Sequence, residues 1–261
     1  MTTVITLLTD FGLQDVYVGV MKGAIATINP SLRVIDLTHQ IPPQNILAGR
    51  FCLMNAYSYF PHGTIHLAIV DPGVGSQRQG IAIQFKEGYL VGPDNGLFSG
   101  ILDLSQALKA VSLTNAQYWL TSRPSTTFHG RDIFASVAAH LASGVPLQEL
   151  GDLIDPAHLV RLSPPSFEKT PTKIMGYIQY IDVFGNLITN IPSTAIPPAL
   201  SHWQLKIKDV IIPMGNTYSD VALGEAVALI GSHSWLEIAV RNGNAQAQLQ
   251  LDWGDPVNLV C

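Results

Sequence analysis

Strand-like and helix-like segments alternate along the first 70 residues, and this alternation limits the fold more than any other feature of the chain. Three short apolar segments have the length and composition of buried strands, and two longer segments between them carry apolar residues at helical spacing. The strands are predicted at residues 3–8, 33–37 and 64–70, and the helices at 15–30 and 45–60. Strands joined by helices form parallel sheets through right-handed crossovers, so an α/β domain with a mostly parallel sheet is predicted.

The next segments extend this domain. Residues 81–85 and 89–92 are predicted to pair as a hairpin around Lys86, Glu87 and Gly88. Residues 131–143 have one apolar face and are predicted to form a further helix that ends before Gly144.

The pattern changes after residue 160. Residues 161–173 contain three prolines and no periodicity, which indicates a linker. Beyond it the helical signal is replaced by short strand-like segments at 174–182, 186–191, 203–213, 226–231, 235–240 and 247–251. The predicted organisation is therefore an α/β domain at 1–160, a linker at 161–173 and a small all-β, barrel-like domain at 174–261.

Composition limits the partners and the location. Hydrophobic residues make up 47% of the 261 residues and charged residues 13%, which also fits a chain that buries surface against copies of itself. The formal net charge is −5 and no basic block is present, so neither nucleic acid nor a membrane surface is an expected partner. No segment approaches the ~20 apolar residues of a membrane span. Cys52 and Cys261 have no metal-binding or redox spacing and the N-terminal segment has no signal-peptide pattern, so a cytoplasmic protein is expected.

Polar loops follow several predicted strands. Asp10 ends the first strand in TDFG, Asp71 ends the third in VDPGVGSQR, Asp94 follows the hairpin in GPDNG, and His129 precedes the last helix in TFHGRD. Ligands of open α/β sheets bind outside the carboxyl ends of the strands, so these four side chains are predicted to meet in one crevice. The sequence has no phosphate-binding loop, no complete dinucleotide fingerprint and no nucleophile-elbow motif.

Each of these residues also has a purely structural interpretation. Asp10 and Asp94 stand in sequences typical of turns, and Asp71-Pro72-Gly73 fits the first three positions of a turn. His129 could be a hydrogen-bonded structural histidine, and Arg78 a solvated loop charge. Proline holds the residue before it in an extended conformation, so the turn would also fix Asp71 rigidly, as a catalytic carboxylate requires.

One turn of the second domain carries a comparable concentration of polar groups. Asp182, Phe184, Asn186 and Asn190 lie in and around the turn of YIDVFGNLITNI. The structural interpretation is a β-hairpin with Phe-Gly-Asn at its tip. The functional interpretation is an aromatic face for a base, beside amide and carboxylate groups for polar substituents.

Together these segments resemble the S-adenosyl-L-methionine (SAM) hydrolases that form adenosine, also called SAM hydroxide adenosyltransferases, which are relatives of fluorinases and chlorinases. The resemblance runs in order along nearly the whole chain and rests on TDFG, DLTHQI, VDPGVGSQR, GPDNGLF, TFHGRDIFA, IDVFGNLITNI, WLEIAV and GNA. It implies an α/β domain followed by a β-barrel, and a homotrimer in which substrate lies between the first domain of one subunit and the second domain of the next.

The resemblance also implies roles for individual residues. The catalytic set falls on Asp71, Arg78 and His129, which would bind and activate water or hydroxide, with no metal or other cofactor. The implied substrate-binding residues are Asp10 for the ribose, Thr127 and Phe128 for the nucleoside, Phe184 and Asn186 for the adenine, Tyr218 beside the adenine, Asp182 for the methionine ammonium, and Ser232 and His233 for the methionine carboxylate and amine end.

The implied reaction is attack of water on the ribose C5′ of SAM, which releases adenosine and L-methionine. Halogenases resemble this sequence but carry tyrosine at the position of Asp71 and lack a residue like His129, so the hydrolase is favoured. Three alternatives stay open. One is a SAM-dependent halogenase, another is a sensor that binds SAM or adenosine without turnover, and the third is a metal-dependent hydrolase built from Asp10, Asp71, Asp94, His129 and Asp132.

Overall fold

The computed structural model describes residues 3–197, 203–208 and 210–261. The chain divides into two compact units, Met1–Leu162 and Ser163–Cys261. Within the described ranges, no helix has the length and apolar character needed to cross a membrane.

The N-terminal unit is built on a seven-stranded mixed sheet. Its strands are β1 Val4–Thr9, β2 Arg33–Thr38, β3 Thr64–Ile69, β4 Gly80–Gln84, β5 Gly88–Pro93, β6 Lys109–Ser112 and β7 Asp152–Ile154, in the order β2-β1-β3-β5-β4-β6-β7. The pairs β1–β2, β1–β3 and β3–β5 are parallel, whereas β4–β5, β4–β6 and β6–β7 are antiparallel. The predicted α/β unit and the hairpin of β4 with β5 are confirmed.

Strand direction determines which chain segments meet at the functional edge of this sheet. Strands β2, β1, β3, β5 and β6 run in one direction, and β4 and β7 run in the other. The segments that leave β1, β3 and β5 therefore emerge at the same edge as the segment that enters β4. This arrangement brings Arg78, two residues before β4, to the edge where Asp71 follows β3.

The helices of this unit are α1 Tyr17–Ile28, α2 Ile46–Tyr57, α3 Ser99–Leu104 and α4 Ser136–Ala142. Single 3₁₀ turns occur at Ala116–Tyr118, Leu147–Leu150 and Pro156–His158. Helix α2 begins where the Asn45 side chain accepts a hydrogen bond from the amide of Ala48, as an N-cap does. The helix predicted at 131–143 is present but starts with π-helical turns at Gly130–Ala135, a wider geometry that often accompanies functional sites.

The core of the unit lies between the sheet and its helices. Residues of β1 and β3 that are fully buried, such as Ile5, Leu7 and Leu67, pack with Met21 of α1 and Phe134 of the π-helical turns. The side chains on both faces of these strands are buried away from water. The strands are therefore nearly continuous runs of apolar residues in the sequence. This packing fixes the strand ends that carry the polar loops.

The C-terminal unit is an antiparallel, nearly closed, barrel-like sheet. Its strands are β8 Glu168–Lys169, β9 Lys173–Ile181, β10 Leu187–Pro192, β11 Gln204–Ile207, β12 Val210–Pro213, β13 Ala226–Ile230, β14 Trp235–Val240 and β15 Pro256–Val260, and 3₁₀ turns lie at Ser193–Ala195 and Tyr218–Asp220. The order is β12-β11-β15-β9-β10-β14-β13, with β8 paired to β9. A bridge between Met214 and Ala228 brings the two ends of the sheet together.

Two details differ from the sequence prediction. The strand predicted at 247–251 is wrong, because Ala245–Leu249 forms a short helix, α5, whose first turn is capped by the Asn244 side chain, which accepts a hydrogen bond from the amide of Ala247. The strand predicted at 203–213 is two strands, β11 and β12, with Lys208 between them at a positive φ of 52°. The capping side chain favours the helix at 245–249, and the tight turn divides the segment at 203–213 into two strands, although the apolar pattern predicts a single strand in each place.

Candidate active site

The loop from Asp71 to Gln79 folds back on itself, so that its two ends meet. The amide of Val74 donates to the carbonyl of Asp71 over 3.2 Å, which closes the first turn. The Ser76 hydroxyl donates to the carbonyl of Gly73 over 2.7 Å and accepts from the amide of Arg78 over 3.2 Å. These local bonds return the chain to the sheet and direct the Arg78 side chain toward Asp71.

Arg78 holds the Asp71 carboxylate with two parallel hydrogen bonds. Its Nε lies 3.0 Å from Oδ1 of Asp71, and its Nη2 donates to Oδ2. Both side chains are largely withdrawn from solvent, at 6% exposure for Asp71 and 8% for Arg78. A bidentate pair of this kind fixes the position and the plane of the carboxylate.

His129 joins this pair through Arg78. Its Nδ1 lies 3.1 Å from Nη2 of Arg78. Since a guanidinium has only hydrogen-bond donors, Nδ1 must be the acceptor, and a neutral His129 then carries its proton on Nε2. Burial and the positive charge of Arg78 both lower the pKa of His129, which favours this neutral form.

Two opposing influences act on the Asp71 carboxyl group. Burial raises the pKa of Asp71 above its ordinary value, while the charge and hydrogen bonds of Arg78 pull it lower. The result is a partly desolvated carboxylate with increased basicity, which is the property required of a general base.

Glycines allow the surrounding loops to approach one another. Gly75 has a φ of +78°, and a Cβ there would overlap the carbonyl oxygen of Thr126. This contact joins the Asp71–Arg78 loop to the loop that leads to His129. At Gly80 a Cβ would lie 2.8 Å from the ring of Phe134, and the Arg78 guanidinium lies 5.2 Å from the centre of that ring.

Asp10 lies at the same edge but is held by a different segment. Its Oδ2 accepts a hydrogen bond of 2.8 Å from the amide of Gln44. The hydroxyl of Thr9 accepts from the amide of Phe11 over 3.2 Å and lies 2.9 Å from Nδ1 of the buried His39. The segment after β2 therefore supports the turn that presents Asp10 and Phe11.

An aromatic cluster forms one wall of a cavity beside His129. The rings of Phe11, Tyr17 and Phe128 meet edge to face, with centroids 5.3 to 6.0 Å apart. Arg131 lies over the Phe128 ring at 5.1 Å. The cavity has a volume of about 360 Å³ and is lined by Phe11, Tyr17, Ser125, Thr127, Phe128 and Arg131. Thr127 and Phe128 were predicted as ligand residues. Phe11 and Tyr17 were not, although Phe11 is part of the TDFG motif and Tyr17 follows that motif by five residues.

The structure does not gather all the acidic residues considered in the sequence analysis. Asp94 accepts a hydrogen bond from the amide of Val160 over 2.9 Å and shares a depression of about 620 Å³ with Arg78. Asp132 is bound by Arg131 and by the amide of Ser125. Across the described part of the chain, no three His, Cys, Asp or Glu residues form a group that could hold a metal ion.

In the C-terminal unit, Asp182 organises the turn between β9 and β10. Its Oδ1 accepts hydrogen bonds of 2.9 Å from the amides of Phe184 and Asn186, and its Oδ2 accepts one of 3.0 Å from the Asn186 side chain. Asn186 is buried, whereas Phe184 is 71% exposed. The turn therefore holds Asp182 and Asn186 together and presents the Phe184 ring to solvent.

A buried glutamate, which the sequence analysis missed, connects other predicted residues of this unit. Glu237 of β14 is 4% exposed and accepts hydrogen bonds from the Tyr218 hydroxyl at 2.8 Å and from Nε2 of His233 at 3.1 Å. Ser232, next to His233, is exposed in the turn between β13 and β14. The available signal was a carboxylate inside the apolar strand WLEIAV, because such a group requires hydrogen-bonding partners.

Comparison with known proteins gives a consistent family match. Residues 5–151 match the SAM hydroxide adenosyltransferase N-terminal domain, and residues 176–258 match the SAM hydroxide adenosyltransferase C-terminal domain.

The similar proteins cover the chain almost completely. A protein of Salinispora tropica named (R)-S-adenosyl-L-methionine hydrolase is 39% identical over 96% of this chain and 95% of its own length. A fluorinase of an Actinoplanes species is more distant, at 25% identity over 90% of both chains. The crystal structure of an uncharacterized conserved protein from Thermotoga maritima superposes with a TM-score of 0.93 at 34% identity, over 98% of this chain and 100% of that one.

Proposed function

Because the chain belongs to the SAM hydroxide adenosyltransferase family, we propose that it hydrolyses S-adenosyl-L-methionine to adenosine and L-methionine. The observation that carries this proposal is the hydrogen-bonded set of Asp71, Arg78 and His129, in which the Asp71 and Arg78 side chains are largely withdrawn from solvent. The names of its relatives further support a preference for the (R) epimer at the sulfonium.

In the proposed reaction, a water molecule attacks the ribose C5′ of SAM and the C5′–S bond breaks. The bonding electrons leave with sulfur, which becomes the neutral thioether of methionine. The sulfonium needs no acid to leave, so the protein must chiefly hold and activate the oxygen nucleophile. Asp71 accepts a hydrogen bond from this water and takes its proton as the new C–O bond forms.

Arg78 and His129 complete the proposed nucleophile site. Arg78 keeps Asp71 fixed and ionised through its two hydrogen bonds. His129, neutral and protonated on Nε2, donates from that nitrogen to the attacking water and orients it. The raised basicity of Asp71 and the lowered pKa of His129 support these roles.

The proposed substrate contacts use the two units separately. In the N-terminal unit, Asp10 binds the ribose hydroxyls and the cavity beside Thr127 and Phe128 receives the nucleoside. In the C-terminal unit, the proposed contact residues are Asp182, Phe184, Asn186, Tyr218 and Ser232, and His233 beside them holds the carboxylate of Glu237. We further propose a cytoplasmic homotrimer in which the second unit of one subunit completes the site of its neighbour.

The function is tested by incubating the purified, EDTA-treated protein with separated (R) and (S) epimers of SAM, with and without chloride. The expected products are adenosine and L-methionine in equal amounts, formed faster from the (R) epimer and independent of chelator and halide. A 5′-halo-adenosine would identify a halogenase. Bound but intact SAM would identify a sensor, and loss of activity in EDTA a metal-dependent hydrolase. Native mass of the active species tests the trimer.

A further inference from the structure

We infer that Glu237 is a positioning residue that makes the Tyr218 oxygen a hydrogen-bond acceptor for an N–H group of the ligand. The inference rests on the proposed function, because it assigns a contact within the proposed substrate site. It concerns the class of ligand group that the C-terminal unit can bind.

Glu237 is a residue of the sheet, and its side chain is held in a fixed position. It lies on β14 opposite Ile188 of β10 and Leu229 of β13. At 4% exposure, its carboxylate must be satisfied inside the protein, and it accepts one hydrogen bond on each oxygen. Gly231 permits this close approach, because a Cβ there would lie 2.6 Å from Oε2 of Glu237.

The bond to Glu237 determines what Tyr218 can offer a ligand. A phenol hydroxyl can donate one hydrogen bond, and the Tyr218 hydroxyl donates its hydrogen bond to Oε1 of Glu237. The lone pairs of the phenol oxygen are then its only remaining means of hydrogen bonding. Burial and the charges of Glu237 and Asp182 raise the pKa of Tyr218 to about 12, so the hydrogen stays on the phenol at neutral pH.

His233 supports Glu237 instead of offering a donor of its own. Its Nδ1 accepts a hydrogen bond of 3.2 Å from the amide of Trp235, so the proton of a neutral ring is on Nε2. That Nε2 lies 3.1 Å from Oε2 of Glu237. Both ring nitrogens are thus used inside the turn, and the imidazole holds the carboxylate oxygen that Tyr218 does not bind.

The ligand group that fits this arrangement is an amine or ammonium. Tyr218 is 46% exposed, so a ligand can reach this side chain. Two carboxylates, Asp182 and Glu237, act electrostatically on the phenol, which favours an N–H donor and disfavours a carboxylate. SAM carries two such groups, the exocyclic amine of adenine and the α-ammonium of methionine.

The test compares steady-state kinetics of the wild type, Tyr218→Phe, Glu237→Gln and the double variant. Tyr218→Phe removes the acceptor and should raise KM about 3- to 10-fold while kcat stays within about twofold. Glu237→Gln presents an N–H to either Tyr218 or His233, which breaks the arrangement and should raise KM similarly. The double variant should add nothing further, because both changes remove the same contact.

A matched control and a spectroscopic measurement separate positioning from a general structural role. Glu225→Gln changes another hydrogen-bonded glutamate of the same unit, which accepts from the amide of Ala222, and should leave KM unchanged. The ¹⁵N chemical shifts of the His233 ring should report the Nε2–H tautomer in the wild type. In Glu237→Gln these shifts should change, because the hydrogen bond at Nε2 is altered. Product inhibition then identifies the donor, since Tyr218→Phe should weaken inhibition either by adenosine or by L-methionine.

The outcomes distinguish this inference from the proposed function. If the wild type hydrolyses SAM and neither variant changes KM, or if the two effects add, the inference is wrong while the function stands. If the wild type does not act on SAM, both are overturned. A loss of kcat and melting temperature with an unchanged KM would make Glu237 structural only.

Discussion

Replacing Gly75 by alanine should reduce turnover strongly without unfolding the protein. Gly75 has a φ of +78°, a conformation that costs an L-residue about 1–2 kcal/mol. The new Cβ would also overlap the Thr126 carbonyl, a backbone atom that cannot rotate away. The two loops must therefore separate by on the order of 1 Å, and a displacement of that size at a reacting centre can cost ~10²-fold in rate.

Gly63→Ala is the matched control. Gly63 has a φ of +83°, but a Cβ there would meet nothing within 4 Å. It precedes β3, at the end of that strand opposite Asp71. Both variants should lose stability in urea unfolding from the same backbone strain, and Gly75→Ala should lose somewhat more because of its overlap with Thr126. Only Gly75→Ala should lose kcat for SAM hydrolysis, because only its loop carries Asp71 and Arg78.

The comparison has a clear refuting result. If Gly75→Ala retains wild-type kcat, the loop contact does not hold the proposed nucleophile site. If Gly63→Ala loses as much kcat as Gly75→Ala, backbone strain and not the contact with Thr126 accounts for the effect.

Three further predictions concern single titratable groups. Asp71→Asn should still bind SAM in calorimetry but lose about 10²–10⁴-fold in kcat, and unchanged turnover would rule out its role as base. Turnover should fall as pH decreases through the raised pKa of Asp71, with no matching loss at high pH from the neutral His129, and a bell-shaped profile would contradict this assignment. Burial lowers the pKa of His66 from 6.5 to about 4. The unfolded chain therefore binds a proton first as pH falls from 6.5 to 4, and the free energy of unfolding should drop by about 1.4 kcal/mol per pH unit, about 3 kcal/mol in all. Urea unfolding at pH 7 and 4.5 should show a smaller decrease in the free energy of unfolding for His66→Gln than for the wild type. An equal decrease in both proteins would refute the role of His66.

Much of the fold was predictable because its signals are local. The alternation of apolar segments in residues 3–70 identified β1, β2, β3 and the helices between them, with bounds within two or three residues of those observed. The same approach was wrong at 247–251, where Gln248 and Gln250 alternate with apolar residues as in a strand. There the Asn244 cap favours a helical turn, and such a cap competes with the apolar pattern over a stretch this short.

The candidate site was predictable only in part. Asp71, Arg78 and His129 stand in short motifs, and their resemblance to a known family could be recognised along the chain. Glu237, by contrast, is one charged residue in an apolar strand, and its partners Tyr218 and His233 lie 19 and 4 residues before it. No local pattern specifies such a contact, because it depends on how β13 and β14 pair.

The sequence by itself determined the α/β and all-β halves of the chain, and it supplied the candidate residues from which the proposed SAM hydrolase site is built. Apolar periodicity and turn residues are patterns that extend over only a few positions, so they can be recognised without a structure. Only the tertiary structure decided that the hairpin of β4 and β5 joins the sheet beside β3, which returns Arg78 to Asp71. It also decided that Nδ1 of His129 must accept from Arg78, and that the Tyr218 hydroxyl donates its hydrogen bond to Glu237. Hydrogen-bond direction depends on which donors and acceptors the folded chain brings within about 3 Å of one another. The order of residues along the chain does not specify these distances.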